Sequence, residues 1–185
     1  VAVVSVKKSV DFTISDDPET ITKADKVIFP GVGEASTTMA YLRDRKLDQV
    51  IKNLKQPVLG ICLGMQLMCR HSEENDTECL GIFDQPVKRF VPKADFKVPH
   101  MGWNEVQHMV DHALWRDIPQ NSRFYFVHSF YVDVADSQLI AGRSHYGLDF
   151  TTAISHDNLF AVQFHPEKSQ KMGLQLLKNF VEWRV

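Results

Sequence analysis

Cys62 stands in Gln56-Pro57-Val58-Leu59-Gly60-Ile61-Cys62-Leu63-Gly64-Met65-Gln66, an apolar run that halts at a glycine-flanked cysteine and resumes with helical character. That layout predicts a nucleophile elbow, a tight strand-to-helix turn that presents the thiol where the N-terminal end of the helix can stabilise a thiolate. A sulfur nucleophile needs a base. Far downstream, Phe164-His165-Pro166-Glu167 supplies an imidazole with a carboxylate two residues on. Side chains alternate along an extended segment, so His165 and Glu167 are expected on one side of it, and Pro166 keeps that segment out of a helix interior. Glu167 would then orient the imidazole and stabilise its cation as it takes the Cys62 proton. A set of this kind equips a cysteine hydrolase acting on an amide.

A tetrahedral intermediate at an amide carbonyl also needs hydrogen-bond donors. The backbone N–H of Leu63, just after the nucleophile, is the first. The second is expected from a loop after a neighbouring strand, and Pro30-Gly31-Val32-Gly33 is the candidate, because glycines on either side of Val32 let its peptide turn inward. Each signal alone has a plainer reading: a buried cysteine on a turn, a hydrogen-bonded histidine at a strand end, an ordinary glycine turn. Their combination is what narrows the choice.

The surrounding elements must bring these groups together. Residues 1–4, 11–15, 26–29 and 58–61 read as strands, and 19–24, 37–55 and 63–70 as helices, the longest periodic through Met39, Leu42, Leu47, Val50, Ile51 and Leu54. Such alternation predicts an α/β fold with a mostly parallel central sheet flanked by helices. Between 81 and 154 short strand-like runs follow one another (86–91, 124–126, 131–134, 139–142, 152–155), predicting a smaller antiparallel region beside the parallel one. Residues 160–164 return as an apolar strand, and 173–183 form an amphipathic helix. With 185 residues, 44% of them hydrophobic, and no repeat or linker, one domain over 1–185 is expected. One spacing conflicts with this plan. Between Val4 and Asp11 there is too little chain for a crossover between parallel strands, which takes about a dozen residues. Residues 5–10 look like a fragment of a longer helix, so missing chain is the expected explanation.

A formal charge of −2, with Lys and Arg dispersed, gives no electrostatic reason to expect nucleic acid or an anionic membrane as partner. No apolar stretch approaches the length of a bilayer span, and nothing at the start reads as a signal peptide. Val1 is not a start methionine, so a processed or incomplete N-terminus is expected. The three cysteines, Cys62, Cys69 and Cys79, form no C-x-x-C pair and no disulfide framework, which fits a reducing, cytoplasmic compartment. Cys69, on the same face of the expected helix as Cys62, reads as core, and Cys79 as a loop residue without a role. His108 and His112 have helical i, i+4 spacing but lack both a third ligand and the glutamate of H-E-x-x-H, so they are expected to be solvated. No metal and no cofactor are expected.

The segment Gly60-Ile61-Cys62-Leu63-Gly64-Met65-Gln66, together with Gln163-Phe164-His165-Pro166-Glu167, resembles the class I, triad-type glutamine amidotransferases, and the resemblance covers nearly the whole chain. Three further strings are similar to one branch of that family, the glutaminase subunits of imidazole glycerol phosphate synthase. They are Pro30-Gly31-Val32-Gly33, Val98-Pro99-His100-Met101-Gly102-Trp103-Asn104 and His165-Pro166-Glu167-Lys168-Ser169-Gln170. Many other members carry Gly-Gly-Pro-Gly at the first of these. The resemblance implies L-glutamine as substrate, attacked by Cys62 at its side-chain amide, with Val32 and Leu63 as the oxyanion pair. It also implies that Gly33, Gln66, Glu74, His128 and Ser129 hold the glutamine. A zwitterionic ligand needs a carboxylate for its ammonium and donors for its carboxylate, which Glu74 and the Ser129 region could supply. The competing readings are a solvated acid for Glu74 and a packed histidine beside Phe126 and Phe130 for His128. The same resemblance implies a partner, a (β/α)8-barrel cyclase subunit that receives the ammonia, with Trp103, Tyr125 and Lys168 at the shared interface, against an ordinary core role for Trp103. The end at Val185, soon after the last helix, implies that this cyclase is a separate polypeptide. The family carries an Asp-Tyr-x-x-Gly-Asn loop after its first strand, where this sequence runs from Val4 into Ser5-Val6, at the place where the crossover is too short. Two other functions stay open on the sequence, a stand-alone cysteine hydrolase of γ-glutamyl amides and a non-catalytic glutamine-sensing subunit with an idle triad.

Overall fold

The computed structural model describes residues 10–31, 33–93 and 96–185. The strand expected at 1–4 and the short crossover after it lie outside these residues. Pro18 opens α1 (Pro18–Lys23), and the Asp17 carboxylate caps it by accepting from the Thr20 N–H at 2.8 Å. Next come β1 (Val27–Gly31), α2 (Ala35–Asp44), α3 (Leu47–Lys52), β2 (Val58–Cys62) and α4 (Leu63–Leu67). The middle of the chain is strand-rich: β3 (Cys69–Ser72), β4 (Thr77–Glu78), β5 (Phe83–Arg89), β6 (His100–His108), β7 (Ser122–His128) and β8 (Phe130–Val132). It closes with β9 (Ile140–His145), β10 (Asp149–His156), β11 (Leu159–Val162) and α5 (Gln170–Glu182).

The fold is the expected α/β arrangement, built on a mixed sheet. β1, β2 and β11 run parallel, with Gly31 opposite Cys62 and Val162 opposite Ile61. Their C-terminal ends therefore share one edge, where ligands bind in open α/β sheets. From β11 the sheet continues antiparallel through β10, β8 and β5, then through β3, parallel to β5, to β4. A branch of β9, β6 and β7 leaves from β10. Among the described residues the antiparallel portion is thus more extensive than the parallel one. Successive residues of the central strands go to opposite faces. Val58, Leu159 and Ala161 join Met39, Leu42 and Leu67 on the side of α2, α3 and α4, while Leu59, Phe160 and Val162 join Leu176, Phe180 and Trp183 around α5. Burial on both faces explains why these strands read as continuous apolar runs.

Several expected elements are corrected. Residues 11–15 are exposed irregular chain, not a strand. The helix expected over 37–55 breaks at Lys46, which takes a left-handed conformation (φ 58°). A continuous helix would bring Lys46 under Leu42 at i+4, and the break brings Leu47 and Ile51 to the core instead. The helix expected over 63–70 stops at Leu67, because Cys69–Ser72 finds a parallel partner in β5, and tertiary pairing overrides a local helical pattern. Strand β6 is an addition. Its outward positions include Met101 and Trp103 and its inward ones His100 and Asn104, so the usual apolar-in pattern is inverted and periodicity does not reveal it. His108 ends this strand and His112 lies in the following loop, so they share no helix face. Nor are they solvated: His108 stacks on Trp115 at 4.2 Å and His112 tilts against Phe160 at 4.6 Å, and burial lowers the pKa of both.

Helix α5 approaches the 3-10 turn Pro166–Lys168 backbone to backbone, and a Cβ on Gly173 would meet the Pro166 carbonyl oxygen at 1.9 Å. Gly173→Ala must therefore push helix and turn apart, with an expected loss of about 1–3 kcal/mol in urea unfolding. An unchanged unfolding midpoint would contradict this packing.

Candidate active site

Cys62 is the last residue of β2 and the cap of α4, with φ 53° and ψ −111°. A side chain held there costs about 1–3 kcal/mol, so the surrounding structure must impose the conformation. One constraint is visible at Gly31, where a Cβ would meet the Leu63 Cβ at 2.5 Å and the Gly64 nitrogen at 2.6 Å. Only glycine lets the end of β1 lie this close to the elbow. Gly31, the residue before the expected second donor, is thereby placed beside the Leu63 peptide. Val32 itself, the expected second donor, lies outside the described residues.

His165 follows β11 and is buried. Its Nδ1 faces the Glu167 Oε1 at 2.7 Å. Glu167 reaches it from the 3-10 turn Pro166–Lys168, not from an extended segment, with Pro166 at the first helical position where its missing N–H is harmless. Burial disfavours a charged imidazole here, yet the neighbouring Cys62 and Glu167 outweigh it and push the His165 pKa up to about 9. Burial likewise works against the Glu167 carboxylate and is overcome, chiefly by the hydrogen bond from His165, so its pKa is lowered. With Nδ1 engaged, Nε2 is the nitrogen left for the sulfur. It is buried and without a hydrogen-bond partner among the described residues. The other two cysteines offer no rival nucleophile. Burial pushes the Cys69 thiol far up and the Cys79 thiol to about 11.

Backbone bonds fix His165 in space. The His165 N–H donates to the Tyr125 carbonyl at 2.9 Å, the Tyr125 N–H donates to Ser169 Oγ at 2.9 Å, and that hydroxyl donates to the His165 carbonyl at 2.6 Å. Strand β7 thus grips the turn that carries His165 and Glu167.

The remaining expected residues fall into three groups. Gln66 is buried on α4, with Nε2 donating to the Phe130 carbonyl at 3.1 Å and to Gln163 Oε1 at 2.9 Å. His128 is buried at the end of β7 and bonds His100 (Nε2 to Nδ1, 2.9 Å) and the Phe130 carbonyl (Nδ1, 2.7 Å). Burial pushes its pKa down to about 3 and that of His100 to about 4, so this pair is neutral near pH 7. Ser129, next in chain, accepts at its carbonyl from the Phe90 N–H. Glu74 is half-buried, not solvated, and its Oε2 accepts from the Ala35 N–H at 2.8 Å, two residues after Gly33. Trp103, Tyr125 and Lys168 form a surface patch in which Trp103 and Lys168 are exposed and Tyr125 is half-buried. Trp103 faces Tyr125 across the β6–β7 ladder with ring centroids 6.0 Å apart, and the Lys168 ammonium lies 6.0 Å above the Tyr125 ring. Trp103 is 38% exposed and Met101 beside it 62%, so Trp103 is not core.

Sequence reasoning passed over Gln163, Ser169 and His100. Gln163 was the most accessible of these, since period-two alternation puts its side chain on the same side as His165 while Phe164 turns to the core.

Residues 1–183 match the glutamine amidotransferase class-I family. The chain is 52% identical to the imidazole glycerol phosphate synthase subunit HisH of Acinetobacter baylyi, over 93% of this chain and 86% of that protein. It is 54% identical to the subunit of the same name in Bacteroides thetaiotaomicron, over 94% of this chain and 87% of that protein. In three dimensions it is similar to a glutamine amidotransferase crystal structure, at TM-score 0.66 and 16% identity over 91% of this chain and 83% of the other. A glutamine amidotransferase from Thermotoga maritima gives TM-score 0.56 and 20% identity over 85% of this chain and 61% of the other.

The raised His165 value has a definite sign. Its contribution to stability is complete below the ordinary histidine value near 6.5 and is lost as pH rises through about 9. NMR titration of the imidazoles should find His165 titrating near 9, and Glu167→Gln should lower that midpoint by about one unit or more. A His165 midpoint near 6.5 in the parent protein would contradict the geometry.

Proposed function

This chain belongs to the class I glutamine amidotransferase family, and on that footing we propose that it hydrolyses L-glutamine to glutamate and ammonia as the glutaminase subunit of an imidazole glycerol phosphate synthase in histidine biosynthesis. The observation that carries the reading is the buried His165, held by Glu167 at 2.7 Å through one nitrogen and set beside the Cys62 thiol with the other. Relatives about half identical over most of their length support the choice of synthase.

In the proposed sequence the Cys62 proton passes to His165 Nε2 and the sulfur attacks the side-chain carbonyl carbon of glutamine. The oxygen of the tetrahedral intermediate is received by the Leu63 N–H and by the peptide of Val32. The imidazolium then protonates the departing nitrogen, the C–N bond breaks, and ammonia leaves behind a γ-glutamyl thioester. Water, deprotonated by His165, attacks the thioester and releases glutamate, and the proton returns to the thiol. Glu167 holds the imidazole in one orientation and stabilises its cation throughout. Gln66, Gly33, Glu74, His128 and Ser129 hold the substrate. The neutral, doubly bonded state of His128 suits a hydrogen-bonding and shaping role there and leaves proton transfer to His165.

The ammonia goes to a cyclase subunit, a (β/α)8 barrel in this reading. It docks on the patch of Trp103, Tyr125 and Lys168, whose aromatic pair and neighbouring cation suit an interface hot spot. The peptide of Tyr125 bonds the His165 turn at both ends, which joins docking surface and base within one hydrogen-bonded loop. Free thiols in all three cysteines fit a reducing cytoplasm.

Cys62→Ala in the two-subunit complex should abolish synthesis driven by glutamine and leave synthesis driven by added ammonia intact, measured as formation of the cyclised product. Equal loss of both would overturn this division of labour.

A further inference from the structure

We propose that Gln163 is a further catalytic residue of this site, a carboxamide that donates a hydrogen bond to the Cys62 sulfur and, from its other end, fixes which way the Gln66 amide faces. The inference rests on the glutaminase reading above and deepens it, because it gives the nucleophile a donor that is neither the base nor part of the oxyanion pair.

Gln163 is fully buried immediately after β11, where its own N–H donates to the Thr152 carbonyl at 2.8 Å. A buried carboxamide is stable only when its polar atoms are matched. Here Nε2 lies 3.7 Å from Cys62 Sγ, and Oε1 accepts from Gln66 Nε2 at 2.9 Å. The direction of both amides is set by a group that cannot turn round. The Phe130 carbonyl is an acceptor only, so Gln66 must present its nitrogen to it, at 3.1 Å. Gln66 then spends its second N–H on Gln163 Oε1, and Gln163 is left with its nitrogen toward the sulfur. Reversing Gln66 would set oxygen against oxygen at two contacts. His128 reinforces the same carbonyl through Nδ1 at 2.7 Å, and His100 reinforces His128 in turn.

Two neighbours therefore act on Sγ with opposite preference. The Val127 carbonyl, 3.9 Å away, can accept from a thiol and repels an anion. The Gln163 N–H binds a sulfur anion more strongly than a neutral thiol, as charge-assisted hydrogen bonds do. Helix α4 has only five residues, so little helical dipole stands behind the nucleophile, and this side-chain donor carries more of the task. At the far end of the relay, Gln66 keeps Oε1 without a hydrogen bond among the described residues, as an acceptor for an N–H of the bound substrate. Removing Gln163 should therefore disturb both the ionisation of the nucleophile and the grip on glutamine.

The test uses the whole protein and reads alkylation of Cys62 by iodoacetamide across pH, from the mass of the Cys62 peptide, in Gln163→Met and Gln163→Glu. Each variant removes the amide donor, and Gln163→Glu keeps an acceptor for Gln66, so it serves should Gln163→Met fail to fold. The expected result is a rise in the alkylation midpoint of about one pH unit, hence about tenfold slower labelling at neutral pH. The KM for glutamine should increase more in Gln163→Met than in Gln163→Glu. A variant that unfolds cooperatively yet keeps the parental alkylation midpoint would overturn the role of Gln163. Alkylation needs neither glutamine nor a partner, so shifted midpoints alongside a parent complex with the cyclase that does not turn over glutamine would overturn the glutaminase reading instead.

Discussion

Everything that this molecule can do at Cys62 depends on holding an imidazole, in a fixed orientation and next to a strained elbow, at the shared edge of three parallel strands. Neither half achieves this alone. Cys62 takes a conformation that L-residues avoid because β1, through the side-chain-free Gly31, packs against the Leu63 and Gly64 backbone. His165 can hold a proton in a buried place because Glu167 and Cys62 together outweigh desolvation. The register of β1, β2 and β11 puts both on the same edge, which is why the parallel core comes first in any account of the site.

Around that pair the structure is arranged as hydrogen-bonded loops whose polarity is set by backbone carbonyls. One loop runs through Tyr125, Ser169 and His165 and ties the base to strand β7. The other runs from His100 through His128, the Phe130 carbonyl, Gln66 and Gln163 to the sulfur. Both begin in the β6–β7 ladder, the ladder that displays Met101 and Trp103 outward. A displacement of that ladder would therefore reach the base and the nucleophile by separate routes. Such a layout suits a glutaminase whose ammonia is useful only when its acceptor is in place.

The residues that the structure gathers around Cys62 were legible in the sequence because they are concentrated in short strings. An apolar run broken at Gly60-Ile61-Cys62-Leu63-Gly64 encodes strand, turn and thiol together, and Phe164-His165-Pro166-Glu167 encodes the imidazole and the carboxylate that holds it. What stayed hidden depends on distant pairing. The break at Lys46 and the early end of α4 follow from which face finds a partner, which periodicity does not record. Strand β6 was concealed because Met101 and Trp103 face outward and imitate core. Gln163 was overlooked because a neutral amide has no titration to betray it. The i, i+4 spacing of His108 and His112 was chance, as both pack on aromatic rings from a strand end and a loop.

The most direct measurement is to quench the complex in acid while it turns over labelled glutamine and to map any label retained on the protein. Attack by Cys62 with His165 as proton carrier predicts a γ-glutamyl thioester on the Cys62 peptide, formed and consumed at the rate of ammonia release. Steady hydrolysis with no label on Cys62, or label on another residue, would contradict it.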